Sequence, residues 1–289
     1  MIYFVKRNQI NEKKYNDCIS NSLQSRIYGY SWYLDVVSDN WSALVLNDYE
    51  AVFPLPIKSK FGISYIVQPF FTQQLGVFSK EKISDKLFAE FLNKIPSRFL
   101  KTTIQFNSEN TFIETNSEKK NNYILPLDKD YEVLWKNFSK GRKHAIQQGL
   151  KNQLEINDIS FTDLLLLSKE HYSFTEISDK EYNKFKKVVE VLKTKNKIKV
   201  LGVFLHKELI GGSVFVFDSQ RIVYLFSAVS QLGKEKQAAS LLLHKIIKEN
   251  SNSDKILDFE GSQFPSIASF FKSFGAKIET YFLFKKRFL

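Results

Sequence analysis

Three consecutive apolar segments in the second half of the chain constrain the fold more than any other feature of the sequence. They cover residues 199–205, 209–217 and 221–227, and the short turns 206–208 and 218–220 separate them. Connections this short join antiparallel neighbours, because parallel strands need a crossover of about a dozen residues. The sequence therefore predicts an antiparallel meander of three strands.

Helical and strand patterns flank this meander on both sides. Apolar residues at helical spacing predict helices, and short apolar runs predict strands. With the meander they give the order β-α-α-β-β-β-α-β-α-β. The flanking predictions are strands at 154–157, 255–259 and 278–285, and helices at 161–171, 181–195, 238–249 and 266–274.

The first half of the sequence also has a mixed α/β pattern. It predicts strands at 2–5, 41–46, 51–60, 63–68, 99–106, 112–115 and 123–127, and helices at 11–21, 32–37, 84–95 and, broken near 139–141, at 131–151. Pro54 and Pro56 predict that strand 51–60 lies at an edge or carries a bulge. The polar stretch 116–122 predicts a turn near a domain boundary. We therefore expect domains at 1–122 and 123–289, the second with 131–151 as a basic entry helix.

Composition excludes several classes of protein. A single cysteine forms no internal disulfide or cysteine-rich zinc site, and the four His are scattered without ligand spacing, so no metal is implied. No apolar stretch of 18 residues predicts a membrane span, and the N-terminus does not have the pattern of a signal peptide, which favours the cytoplasm. The net charge of +11 suggests nucleic acid, but it comes from 42 Lys and Arg that are almost all Lys. Arg is the preferred partner of phosphate and base edges, so most of this charge is background.

Three segments carry a resemblance to a known family. They are Trp135-Lys136-Asn137-Phe138-Ser139-Lys140-Gly141-Arg142-Lys143-His144-Ala145-Ile146; Asp258-Phe259-Glu260-Gly261-Ser262 with Ile267 and Phe270–Ala276; and Gln68–Phe78. With the element order, they resemble the GNAT acyltransferase superfamily, and within it the Fem-type (FemAB-like) aminoacyltransferases and their acetyltransferase-like relatives. The resemblance implies an α/β (α+β) fold of two tandem GNAT-like domains, each a mixed, mostly antiparallel sheet flanked by helices.

The resemblance also implies a donor site after the meander. In GNAT enzymes, backbone amides between the fourth strand and the next helix bind the pyrophosphate of acyl-CoA, which suits the positive end of a helix dipole. The matching loop contains Gln231, Gly233 and Lys234. It lacks the second glycine of the family pattern, and bulky Lys and Glu side chains follow Gly233. An aminoacyl-tRNA donor, as in Fem-type enzymes, is therefore as consistent with the sequence as acyl-CoA.

Residue chemistry points to further candidates for binding and catalysis. Lys136, Arg142 and Lys143 belong to a basic segment without acids that suits a phosphate, or else form a solvated face. Asp258 and Glu260 share a strand face if the strand continues, and either could accept a proton from an amine. Otherwise Asp258 bonds local backbone and Glu260 pairs with Lys272.

Four more residues are candidates for substrate or phosphate binding, namely Gln73, Gln74, Tyr224 and Lys272. Gln73 and Gln74 lie among aromatic residues and either bind a peptide or sugar or satisfy backbone groups of their loop. Tyr224 on the fourth strand faces the acyl cleft if the alternation of the strand turns it that way.

The sequence leads to one main functional expectation and one alternative. The main one is an acyl- or aminoacyl-transferase that moves an acyl group from acyl-CoA or aminoacyl-tRNA to an amine on a small molecule or peptide, such as a cell-wall or nucleotide-linked precursor. The alternative is a non-catalytic ligand- or RNA-binding protein on a GNAT fold that has lost the acyl-CoA site, with the lysine run 180–199 as an RNA contact.

Overall fold

The structure is a computed structural model that describes residues 1–110, 117–152, 154–171, 178–261 and 264–287. The chain divides into two compact units. The N-terminal unit comprises Met1–Asn121, Asn183–Val191 and Glu279–Leu289, and the C-terminal unit comprises Asn122–Tyr182 and Leu192–Ile278. Each unit contains both helices and strands.

The strands and helices alternate much as the sequence predicts. The strands are β1 (Ile2–Lys6), β2 (Asn40–Leu46), β3 (Ala51–Lys60), β4 (Ile63–Val67), β5 (Phe78–Ser79), β6 (Lys101–Phe106), β7 (Ser117–Pro126), β8 (Glu155–Asp158), β9 (Ile198–Leu205), β10 (Glu208–Phe217), β11 (Arg221–Val229), β12 (Ile256–Asp258) and β13 (Lys277–Arg287). The helices are α1 (Glu12–Asn21), α2 (Ser31–Val37), α3 (Asp85–Asn93), α4 (Tyr131–Asn137), α5 (Lys140–Lys151), α6 (Phe161–His171), α7 (Asp179–Thr194), α8 (Gln231–Glu235), α9 (Ala238–Asn250) and α10 (Pro265–Lys272).

The N-terminal unit is built on a sheet with the order β1-β2-β3-β4-β6-β13. Its pairs are antiparallel except for β4 and β6, which are parallel. Strand β3 pairs with β2 along 51–57, whereas on its other side β5 reaches only 51–52 and β4 only 57–60. Pro54 and Pro56 lie in the gap between those two partners. The predicted edge character is thus confirmed locally, because proline offers no N–H to a neighbouring strand.

The C-terminal unit is built on a sheet with the order β7-β12-β11-β10-β9-β8, which contains the predicted meander as β9, β10 and β11. Strands β11 and β12 are parallel, and the other pairs with printed register are antiparallel. Two adjacent glycines on β10 show how helices cover both faces. A Cβ on Gly211 would lie 2.9 Å from the Ala238 Cβ of α9, and one on Gly212 would lie 2.8 Å from Leu164 of α6. Successive residues of a strand point to opposite faces, so α9 and α6 pack on opposite sides of the sheet.

Two predictions from the sequence are wrong. The polar stretch 116–122 does not form a turn over its described residues, because β7 begins at Ser117. Its first half is mostly exposed, so backbone pairing sets its conformation and its polar side chains face water. The segment after β11 is not an open loop, because α8 occupies Gln231–Glu235. The predicted strand at 112–115 lies outside the described residues.

Within the described ranges, no helix has the length and apolar character needed to cross a membrane.

A partly buried polar contact in the C-terminal unit makes its stability depend on pH. His244 of α9 lies beside Tyr131 and Trp135 of α4, and its Nε2 is 2.7 Å from the Tyr131 hydroxyl. Burial, with the nearby Lys248 charge, lowers the pKa of His244 from its ordinary 6.5 to about 4. Burial also raises the pKa of Tyr131 to about 12, so a protonated hydroxyl shares this hydrogen bond with a neutral imidazole.

We expect acid to destabilise the protein through His244. The folded state favours the neutral ring, so this stabilisation is complete above pH 6.5 and is lost as the pH falls towards about 4. Because the ring is partly exposed, we expect a loss of about 1–2 kcal/mol. Urea denaturation of the wild type and of His244→Gln at several pH values would measure it. An equal loss in both proteins over this range would contradict the assignment.

Candidate functional site

A cavity of the C-terminal unit lies where β11, α9 and α10 meet. Its volume is about 600 Å³. Aromatic and aliphatic side chains make up most of its wall, with a few charged and polar groups among them. The lining residues are Arg142, Tyr224, Leu225, Phe226, Ser227, Val229, Gly233, Lys234, Gln237, Ala239, Ser240, Phe259, Glu260, Gly261, Ile267, Phe270 and Phe271.

Arg142 enters this cavity from the first turn of α5. The helix begins at Lys140 because the Ser139 hydroxyl accepts the Arg142 amide at 3.1 Å, which confirms the predicted break near 139–141. The Arg142 guanidinium donates from Nε to the Ser273 hydroxyl at 2.9 Å and from Nη1 to the Ser240 hydroxyl. Two hydroxyls thus fix the direction of the side chain.

Aromatic rings, and not an acidic side chain, contact the positively charged guanidinium of Arg142. Its Cζ lies 4.4 Å from the ring centre of Phe270 and 4.8 Å from that of Phe274. No carboxylate of the described residues forms an ion pair with it, and burial lowers its pKa to about 10. A desolvated cation without a carboxylate attracts an anion more strongly than an exposed one does. The geometry therefore suits a phosphate or carboxylate of a ligand.

Strand β11 forms one wall of the cavity through a bulge. Phe226 pairs with Val214 and Tyr224 pairs with Phe215, so Leu225 has no partner on β10. A bulge bends the strand and changes the direction of its side chains. Consecutive residues from Tyr224 to Ser227 consequently line the cavity. Tyr224 therefore lines the cavity, although simple alternation does not hold here.

The predicted donor loop is closely packed and internally bonded. The Gly233 amide donates to the Ser230 hydroxyl at 3.0 Å, and the Lys234 amide donates to the Ser230 carbonyl at 3.0 Å. The Gln237 amide donates to Lys234 O at 3.2 Å. Gly233 and Lys234 line the cavity, whereas Gln231 is exposed and bonds Glu235 at 3.1 Å. These three amides are thus occupied within the segment.

Close packing explains why position 233 is a glycine, and the sequence alone does not reveal this. A Cβ at this position would lie 1.9 Å from the carbonyl oxygen of Ile210 on β10. Real Cβ atoms do not approach a backbone oxygen so closely, so any larger residue must displace α8 from the sheet. Gly233 therefore allows this wall of the cavity to form.

We expect Gly233→Ala to lower the free energy of unfolding by about 3 kcal/mol or more, because it overpacks a backbone contact. Gly141→Ala is the matched control, since a Cβ on Gly141 meets nothing within 4 Å. In helix α5 this substitution should add about 0.5–1 kcal/mol of stability. Thermal and urea denaturation of both variants measure the difference. Similar stabilities for the two would show that the Gly233 contact is not close.

Asp258 and Glu260 occupy different environments. Strand β12 ends at Asp258, and Glu260 has a left-handed backbone with φ of 59°, so the two do not share a strand face. Asp258 is buried and accepts from Arg221 Nη1 at 2.7 Å, from Asn122 Nδ2 at 3.0 Å and from the Glu260 amide at 3.0 Å. It does not line the cavity, whereas Glu260 does. The contacts of Asp258 are those of a structural carboxylate.

We expect Asp258→Asn to destabilise the protein by about 3–5 kcal/mol, because it leaves the buried Arg221 charge without its carboxylate. Glu260→Gln, which keeps the shape of a residue at the cavity wall, should change stability by less than about 1 kcal/mol. Chemical denaturation of both variants tests this. If the Asp258→Asn variant is as stable as the wild type, the structural role assigned to Asp258 is wrong.

The remaining basic candidates do not line the cavity. The Lys143 ammonium donates to the carbonyl of Lys136 at 2.9 Å and so supports the end of α4, where a positive charge is favourable. The Lys136 side chain is exposed. Lys272 is also exposed and lies over the ring of Tyr123 at 5.8 Å. It forms no ion pair with a described residue, so the expected pairing of Glu260 with Lys272 is wrong.

Gln73 and Gln74 belong to the N-terminal unit and are bonded to each other. Gln74 Nε2 donates to Gln73 Oε1 at 2.9 Å, and Gln74 Oε1 accepts from Arg26 at 3.3 Å. Gln74 is fully buried. Both contacts are with side chains and neither is with a backbone group of the loop.

Sequence reasoning missed several residues of the cavity. Gln237 and Ser240 flank the start of α9, and Ser240 bonds Arg142 although 98 positions separate them. The sequence did contain one indication of their role, because Gln237 and Ser240 are polar residues at the start of an otherwise apolar helix. Phe270 belongs to a quoted family segment, but nothing local indicates that its ring stacks on a guanidinium.

No group of three His, Cys, Asp or Glu side chains within the described ranges is placed to hold a metal ion.

Comparison with known proteins confirms the fold. No family model matches the chain, and no curated protein matches its sequence. A solved structure of FemX is 11% identical with a TM-score of 0.69 over 94% of this chain and 96% of that one. A tandem GNAT protein from the clavulanic acid biosynthesis pathway is 8% identical with a TM-score of 0.58. The match covers 100% of this chain and 99% of that one. L-PGS from Bacillus licheniformis is 12% identical with a TM-score of 0.57. The match covers 96% of this chain and 92% of that one.

These likenesses define the class of fold. The chain has the predicted α/β architecture with two tandem GNAT-like domains and mixed, mostly antiparallel sheets flanked by helices. At these identities the comparisons establish the fold alone.

Proposed function

We propose that the protein is an acyl- or aminoacyl-transferase whose C-terminal unit binds the acyl donor in the cavity beside Arg142. The observation that carries this proposal is the Arg142 guanidinium, which two hydroxyls and two aromatic rings hold without a carboxylate. A site of this kind is suited to an anionic group of a ligand. The resemblance to FemX and to a tandem GNAT protein supports acyl transfer as the reaction class.

Within this proposal, an aminoacyl ester is a better donor than acyl-CoA. Binding a pyrophosphate through backbone amides requires N–H groups that are free to donate. The amides of Gly233, Lys234 and Gln237 already donate within their own segment. Arg142 would bind a phosphate of the donor instead, and the aromatic wall would contact an adenine or an acyl side chain.

Transfer would proceed by direct attack of an amine. The amine nitrogen forms a bond to the ester carbonyl carbon, the carbon–oxygen bond to the donor breaks, and the proton of the amine goes to a base while the leaving oxygen is protonated. Of the described residues that line the cavity, Glu260 is the only one with a carboxylate, so we assign it the role of base. Backbone N–H groups at the Leu225 bulge would stabilise the oxyanion.

A non-hydrolysable amide mimic of the aminoacylated adenosine 5′-monophosphate at a tRNA 3′ end tests the donor site by titration calorimetry. We expect the mimic to bind, and Arg142→Gln to weaken binding by about tenfold or more, because a charged hydrogen bond is lost. Removing the phosphate from the mimic should cause a similar loss in the wild type and almost none in the variant. Lys140→Gln, which removes an exposed charge from the same helix, should change nothing.

Two outcomes would revise the proposal. Tighter binding of acetyl-CoA than of the mimic would overturn the choice of donor, and binding of neither would show that the cavity is not a donor site. Transfer to an amine acceptor should fall in Glu260→Gln while the affinity for the mimic is retained. Binding of the mimic without transfer by the wild type would favour the alternative of a non-catalytic binding protein on the same fold.

A further inference from the structure

A second cleft, in the N-terminal unit, has a different character from the donor cavity. Its volume is about 580 Å³. It opens on one face of the sheet where β1 ends and β2 begins. Its lining is polar and basic, and no carboxylate of the described residues lines it; the lining residues are Lys6, Arg7, Asn8, Asn40, Ser42, Ile57, Ser59, Ser64, Arg98 and Phe99.

Strand register explains why these residues meet. Lys6 of β1 lies opposite Ser42 of β2, and Asn40 lies opposite Ile57 of β3. Paired residues of antiparallel strands project to the same face of a sheet, and so do residues two apart on one strand. The lining is therefore a continuous patch of the sheet.

Several polar groups in this patch form no hydrogen bond or ion pair with a described residue. Ser42 is only 4% exposed, yet its hydroxyl makes no hydrogen bond to a described residue. The side chains of Lys6 and Asn40 likewise bond no described residue. Arg98 lies over the rings of Phe4 and Phe99, at 4.8 and 5.1 Å, and forms no ion pair within the described ranges. The Ser42 hydroxyl lines the cleft without a bond to a described residue, so it is available to donate to, or accept from, a ligand.

Arg7 adds a rigid donor to the cleft. Its Nε and Nη2 each lie 2.7 Å from one oxygen of Asp35, and Nη2 also bonds Glu12 at 3.0 Å. The Trp41 indole bonds the same Asp35 at 2.8 Å and stacks near the guanidinium. Nη1 is left without a hydrogen bond to a described residue. The two acids offset the charge of Arg7, so the net positive charge of the cleft comes from Lys6 and Arg98.

We propose that this cleft is a binding site for a small phosphorylated polyhydroxy compound, such as a sugar phosphate. Lys6, Arg98 and the Nη1 edge of Arg7 supply the cations and donors that a phosphate dianion needs. Ser42, Asn40 and Asn8 offer both donors and acceptors for hydroxyl groups. Phe99 and Ile57 provide the apolar patch on which a sugar ring packs. This site is separate from the proposed donor cavity and does not depend on that proposal.

Titration calorimetry of the full chain with glucose 6-phosphate, glucose and inorganic phosphate tests this inference. We expect glucose 6-phosphate to bind more tightly than inorganic phosphate, and glucose to bind at least about tenfold more weakly. Arg98→Gln and Lys6→Gln should each weaken glucose 6-phosphate by about tenfold, and Ser42→Ala by a smaller factor. Lys94→Gln, an exposed charge of the same unit outside the cleft, is the matched control.

The Arg142→Gln variant separates this site from the donor cavity. If the cleft binds the ligand, Arg142→Gln leaves the affinity for glucose 6-phosphate unchanged and Arg98→Gln lowers it. The opposite pattern would overturn the inference by placing the ligand in the donor cavity. Absence of binding by glucose 6-phosphate and inorganic phosphate alike would also overturn it, without affecting the proposal for the donor cavity.

Discussion

The close approach of helices to strand β10 is the contact on which the C-terminal unit depends. Ala238 of α9 packs over Gly211 on one face, and Leu164 of α6 packs over Gly212 on the other. Gly233 of α8 sits directly over the carbonyl of Ile210. These small residues bring the start of α9 against the sheet, and that position sets Ser240 where it bonds Arg142. The donor cavity is thus a consequence of backbone packing, since interiors tolerate little extra volume.

Two arginines of this unit illustrate how environment separates structure from binding. Arg221 is buried against Asp258, which also accepts bonds from Asn122 and the Glu260 backbone. Such a pair is costly to break but offers nothing to a ligand, because its charges neutralise each other. Arg142 is partly buried without an acid, and burial lowers its pKa. A charge that lacks an internal counterion gains most from an external one, which is why the anion is assigned to Arg142.

Much of the fold was predictable, because apolar periodicity and turn length determine the meander and its flanking helices. Several candidate residues also come together, since Arg142, Tyr224 and Glu260 line one cavity. What the sequence could not show depends on tertiary contacts. Helix α8 and the Gly233 contact require the position of β10, and the Leu225 bulge requires the register of β11. The Asp258 contacts involve Asn122, 136 positions away, and no local pattern encodes that distance.

The two cavities have similar volumes but select different ligands by their surfaces. Aromatic rings dominate the wall beside Arg142, so a ligand there gains free energy mainly by burying an apolar group, with one anionic group setting its orientation. The cleft beside Arg98 has few apolar groups and a Ser42 hydroxyl that bonds no described residue, so a ligand there must supply hydrogen bonds along most of its length. An apolar compound would leave those groups unsatisfied at about 1–3 kcal/mol each. This penalty is what makes a hydroxylated phosphate ester, rather than an acyl chain, the ligand that the N-terminal unit suits.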